Sequence, residues 1–173
     1  MMHRLIPASA IVLLLLATAG TAGPDKVTFP AGYKTNHVLY TTVDRPDNKT
    51  VRDLYASREA VKMAKAGQPL PSGAVITMEV YKAKVDDKGE PVKDANGRFA
   101  KDAMTGIFVM EKRTGWGAEY GDELRNGEWE YARFTVDGKP PEKAETTACF
   151  QCHKPMSGQD FVFTLPQLVA APK

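Results

Sequence analysis

Cysteine is scarce in this chain of 173 residues: there are two, and histidine numbers only three. Two cysteines exclude a disulfide-dense scaffold and a four-cysteine zinc site. An excess of one charge is also lacking, since 23 Lys and Arg stand against 21 Asp and Glu, a formal net charge of +2. The charges are spread along the chain without a basic block, so nothing points to a nucleic-acid partner or a membrane surface. With 14 Gly and 12 Pro, the composition is too poor in both for a fibrous or disordered chain. The length suits one domain, or a domain with an appendage. What remains to be explained is the presence of two cysteines at all.

Residues 1–23, MMHRLIPASAIVLLLLATAGTAG, place Arg4 before an apolar run from Ala10 to Ala17 and end in small residues. This is the layout of a secretory signal peptide, with cleavage expected after Ala19 or Ala22. The apolar run is shorter than the roughly 20 residues that a membrane-spanning helix needs, which favours export over anchoring. Residues 1–22 are therefore expected to be removed, and 23–173 to form a single domain large enough to bury a core. The expected compartment is the bacterial periplasm, where a thiol pair is oxidised or otherwise covalently used.

Along the mature chain most signals are extended. A strand is expected over His37–Val43. Val51, Leu54, Tyr55, Val61 and Met63-Ala64 recur at roughly helical spacing, so Asn48–Gly67 is expected to be a helix ending at Gly67. Pro69-Leu70-Pro71-Ser72-Gly73 reads as a turn. Ala74–Val85 alternates as a strand, with Val75, Thr77, Glu79 and Tyr81 on one face and Ala74, Ile76, Met78 and Val80 on the other. Asp86-Asp87-Lys88-Gly89 and Asp94-Ala95-Asn96-Gly97 bracket a polar excursion, and Gly106–Lys112 and Glu128–Val136 are two further strands. Pro140-Pro141 opens a loop into the last segment, Ala144–Pro155. The expected fold class is α+β: a mainly antiparallel β-sheet with flanking helices and a C-terminal segment carrying the cysteines.

The chemistry lies in Cys149-Phe150-Gln151-Cys152-His153. Cys-x-x-Cys followed directly by His is the attachment motif for a c-type haem. Two thiols at this spacing can each add to one porphyrin vinyl group, which pins the adjacent His beneath the iron as a neutral ligand. Export fits, because such haem is attached outside the cytoplasm. Two other readings were open to the motif. A thioredoxin-like redox pair normally follows an early strand in a βαβ unit, whereas this pair lies close to the C-terminus. Half of a zinc site would need His37 to complete its ligands. Covalent haem c, one per chain with iron on His153, is the expectation.

Met156 is the only methionine after His153, and three residues of chain are too short to reach the opposite haem face. A sixth iron ligand would have to come from Met63, Met78, Met104, Met110, a lysine or His37. Methionine in a core is more often a gap-filler, so a five-coordinate iron with an open distal face is expected. Such a site binds small gases or performs redox chemistry.

The late CFQCHK, the DFVFT after it and the upstream GEWEYARF together resemble the cytochrome P-460 family, which includes the cytochromes c′-beta. Further pieces of the resemblance are FPAGY, Val51-Arg52-x-Leu54-Tyr55, GAVITME and GIFVMEKRTGW, so that it covers roughly Pro30 to Leu168. The resemblance implies a mainly antiparallel sheet, a homodimer, and haem at one edge. It also implies a redox partner protein. In the members that oxidise hydroxylamine, a strand lysine is joined covalently to the porphyrin rim; aligned on Glu79, this chain has Met78 there. Methionine cannot form that bond, though Lys82 and Lys84 share the face by the strand period. The same members place a glutamate near the iron to move protons, and Glu111 is its best match here, with pairing to Lys112 or Arg113 as the alternative. Phe108, Phe134, Phe161 and Phe163 are candidates to cap or floor a haem, and Arg52 and Arg133 to hold its propionates.

Three functions follow. The first is a periplasmic c′-beta-like protein that binds nitric oxide or similar gases on a five-coordinate iron. The second is a hydroxylamine or nitric oxide oxidoreductase with Glu111 as proton relay and a lysine cross-link. The third is a six-coordinate electron-transfer cytochrome with Met78 or another methionine on the iron.

Overall fold

The computed structural model describes residues 26–143 and 146–173. The expected signal peptide, residues 1–22, lies outside them. Five strands form one antiparallel sheet in the order of the chain: β1 (His37–Arg45), β2 (Thr50–Ser57), β3 (Val75–Ala83), β4 (Lys101–Lys112) and β5 (Trp129–Phe134). Among the described residues four short helices flank it: α1 (Tyr33–Asn36), α2 (Arg58–Met63), α3 (Thr147–His153) and α4 (Leu165–Ala170). A 3-10 segment, Lys154–Gln159, continues directly from α3. The expected α+β class, a mainly antiparallel sheet with flanking helices, is the fold observed. Among the described residues no helix is long and apolar enough to cross a membrane.

The one displaced element is the long helix expected over Asn48–Gly67. Thr50–Ser57 is instead β2, paired with β1 on one side and β3 on the other, and only Arg58–Met63 is helical. Val51, Leu54 and Tyr55 fit a helical spacing by coincidence. Read with period two, Val51, Asp53 and Tyr55 fall on one face and Arg52, Leu54 and Ala56 on the other. Ladder bonds to two neighbours then outweigh a local helical pattern. The change comes at Ser57, whose hydroxyl accepts the Ala60 N–H at 3.3 Å and caps α2. β4 begins at Lys101, five residues before the expected start at Gly106.

The pleat sends two different cores to opposite faces. On one face Ala56, Ile76, Met110, Trp129 and Tyr131 pack under Phe150 of α3, Val162, and Leu165 and Leu168 of α4. On the other, Ile107, Val109, Ala132 and Phe134 are covered by Val27 and Tyr33 from the N-terminal segment. We call these the C-terminal and N-terminal faces. The polar excursion between β3 and β4 folds as two tandem turns closed by the Val85–Pro91 and Lys93–Phe99 bridges.

Candidate functional site

Helix α3 carries the whole Cys149-to-His153 motif. Phe150 is its anchor: it is buried, with its ring 4.8 Å from Tyr131 and 4.9 Å from Tyr120. The buried Asn126 amide donates to the Phe150 carbonyl at 2.9 Å and to the Tyr131 hydroxyl at 3.0 Å, which ties α3 to β5. Cys149 and Cys152, three apart, share one side of the helix. They are not joined in a disulfide; Cys149 is half-buried and Cys152 exposed. Burial raises the Cys149 thiol pKa and the neighbouring Cys152 adds to that, while the Arg133 charge works the other way.

His153 ends the helix with its ring set between two aromatics, 5.0 Å from Tyr131 and 5.1 Å from Phe163. Its Nδ1 lies 2.7 Å from the carbonyl oxygen of Phe161. A carbonyl only accepts, so Nδ1 carries the proton and the Nε2 lone pair is left for another partner. Burial lowers the His153 pKa and the nearby Arg52 charge lowers it further, against the opposing pull of the Phe161 carbonyl. A neutral imidazole with an oriented Nδ1–H is the form that ligates a metal.

Next to α3 on the C-terminal face, the outer part of the sheet presents Arg52 and Leu54 from β2, Met78 and Val80 from β3, Gly106 and Phe108 from β4, and Arg133 from β5. Register places Leu54, Met78, Phe108 and Arg133 in one cross-strand row. Met78 and Phe108 sit mid-strand in the sheet yet are only half-buried. Arg133 lies 5.6 Å over the Phe108 ring. The Arg52 Nε is buried and has no hydrogen-bond partner, and burial depresses that guanidinium. Gly106 sits close against its neighbours: a Cβ there would stand 3.3 Å from the Phe134 carbonyl oxygen and 3.8 Å from the Phe108 ring.

This donor set fits a covalently attached haem. Two thiols stand on one side of a helix, an oriented imidazole has its Nε2 available, an apolar shelf adjoins it, and an orphaned arginine nitrogen suits a propionate. Cys149, Cys152 and His153 would hold the group, with Arg52 near enough for its charge to act on both His153 and Cys152.

Other sequence candidates are not brought to this place. Glu111 lies on the N-terminal face, opposite Val75 and Glu130, and accepts from Arg113 at 2.6 Å. The sheet stands between its carboxylate and the Met78 and Phe108 side chains. Phe134 and Met104 belong to the N-terminal-face core, Met110 is buried beneath α3, and Met63 is exposed on α2. His37 packs against Tyr33, its Nδ1 unpartnered. Among the described residues no three His, Cys, Asp or Glu side chains gather to hold a metal ion. Lys82 and Lys84 are exposed beyond Met78 along the strand. Phe161 contributes through its backbone carbonyl instead of its ring, a role that no side-chain pattern signals.

A one-sheet α+β domain with a late Cys-x-x-Cys-His helix beside an apolar shelf defines a haem-protein architecture. The family model described as Cytochrome P460 matches residues 30–164, and the chain belongs to that family. No curated protein matches the chain significantly.

Proposed function

We propose that this is an exported, periplasmic cytochrome with one haem c that binds nitric oxide or a similar small gas. Cys149 and Cys152 would hold the haem through thioethers, and His153 Nε2 would ligate its iron. The bound iron supplies the ligand-binding and redox chemistry. The chain's own residues do the rest. The Phe161 carbonyl fixes the His153 tautomer, Arg52 neutralises carboxylate charge, and Leu54, Met78 and Phe108 supply an apolar wall that discourages water and charged ligands. By its family resemblance the chain acts as a homodimer and exchanges electrons with a redox partner protein.

The observation that carries this reading is the 2.7 Å contact from His153 Nδ1 to the Phe161 carbonyl, which prepares the ring as a neutral ligand beside two free thiols. Hydroxylamine oxidation is less well supported, because alignment on Glu79 puts Met78 where those members have the lysine, and Glu111 lies on the opposite face of the sheet. Anaerobic titration of the reduced holoprotein with nitric oxide tests the proposal. One equivalent should convert the spectrum completely, and hydroxylamine should not be turned over in the presence of an electron acceptor. Rapid hydroxylamine turnover would favour the enzyme instead.

A further inference from the structure

We infer that Lys112 and Asp160 are positioning residues for His153, acting through the Phe161 carbonyl; this rests on His153 being the iron ligand. Asp160 (φ 51°, ψ 36°) and Phe161 (φ 61°) are consecutive non-glycine residues in the left-handed region. L-residues visit it singly and at a cost, so a pair persists only where the surroundings enforce it.

The enforcing contacts are on Asp160. Lys112 Nζ donates to its two carboxylate oxygens at 2.8 and 3.0 Å, and the Leu70 N–H donates to Oδ2 at 2.8 Å. Both charged side chains are only 10% exposed, and Nζ also sits 5.7 Å over the Trp129 ring. One carboxylate thus joins β4, the loop before β3 and the segment that follows α3. On the next residue, the Phe161 N–H donates to the Met156 carbonyl at 2.8 Å. Its ring lies so close over Gly127 (φ 61°) that a Cβ there would stand 3.2 Å from Cε2. With the backbone held on both sides, the Phe161 carbonyl has one direction left, toward Nδ1 of His153.

A buried charge pair one residue away therefore sets how strongly Nδ1–H is bound. A firm bond makes the ring more basic at Nε2 and strengthens its hold on a metal. Without the clamp, residues 160 and 161 relax toward ordinary backbone and the carbonyl turns from the ring. A purely architectural ion pair would stabilise the fold and leave the histidine's electronic character alone, and this is where the two roles part.

The test uses holoprotein of the wild type and of Lys112→Met, Asp160→Asn and Lys112→Arg. The readouts are the iron–histidine stretching band of the ferrous form and the midpoint potential. Lys112→Met and Asp160→Asn should move the band to lower wavenumber and the potential to a more positive value, and Lys112→Arg should restore both toward wild type. Unmoved band and potential in both charge-removing variants, with only thermal stability reduced, would overturn the inference. If neither yields holoprotein, Asp160→Glu, which keeps the charge and displaces it by one methylene, is read by the same two outcomes. A ferrous wild-type protein that is high-spin yet shows no iron–histidine band would defeat the underlying assignment of His153 instead.

Discussion

Met78 and Phe108 stand directly opposite each other across the β3–β4 pairing, on the face that also carries Arg52 and Arg133. Neither belongs to the packed cluster under α3 and α4, and both remain half-buried. The site's function turns on whether Met78 is wall or ligand. As wall, it can be shortened without changing the iron. Met78→Ala should leave the spin state of the ferrous holoprotein as it was and speed gas association by widening the shelf. A change from low to high spin in that variant would show that the thioether had been on the iron.

Covalent attachment makes a plainer prediction. Cys149→Ala or Cys152→Ala should each leave one thioether, and the double variant none. Acid–acetone extraction should release haem from the double variant and not from the wild type. Haem that stays with the chain after both thiols are gone would refute the assignment of the motif.

Glu111 is expected to be a bystander. Its carboxylate pairs with Arg113, whose side chain is half exposed, so the pair contributes at most about 1 kcal/mol. Glu111→Gln should change nitric oxide association and dissociation rates less than about twofold, well under the tenfold that corresponds to about 1.4 kcal/mol. Slowed proton-dependent chemistry in this variant would return Glu111 to the site.

Acid stability should depend on Glu79. Three tyrosine hydroxyls converge on this buried carboxylate, with Tyr81 at 2.8 Å, Tyr55 at 3.2 Å and Tyr33 closer still, and Lys34 pairs with it at 2.8 Å. Burial alone would raise its pKa, but the bonds from Lys34, Tyr33 and Tyr81 prevail and hold it below the usual range. The folded pKa is thus the lower one. The stability that Glu79 contributes is full above the unfolded carboxyl value of about 4.3 and is lost as the pH falls through the folded value. Glu79→Gln should cost roughly 1.5–3 kcal/mol at neutral pH. Denaturant titrations from pH 7 to 3 should show that gap closing on acidification; a gap that stays constant would contradict the assignment.

Much of this was legible in the residues. Val75, Thr77, Glu79 and Tyr81 do share one face of β3 and Ile76, Met78 and Val80 the other, because alternation in a sheet buried on both sides leaves little freedom of register. Cys149, Cys152 and His153 come together because they are sequence neighbours on one helix. What local pattern did not show was anything set by partners remote in the chain. β2 looked helical until β1 and β3 were on either side of it. Glu111 looked available until the pleat assigned it to the N-terminal face. The left-handed pair Asp160-Phe161 has no glycine to announce it, and depends on Lys112, 48 residues upstream. Asn126, which fastens α3 to β5, was likewise invisible as a lone polar residue in a loop.

We expect a five-coordinate haem on His153 with an open distal face and no bond from the porphyrin rim to the protein. The absorption spectrum of the purified ferrous protein, before and after carbon monoxide, tests it most directly. A high-spin spectrum with an ordinary Soret band that shifts fully on adding the gas is the expected result. A Soret band displaced far to the red would mean a lysine cross-link, and a sharp low-spin spectrum indifferent to carbon monoxide would mean a sixth protein ligand; either result contradicts it.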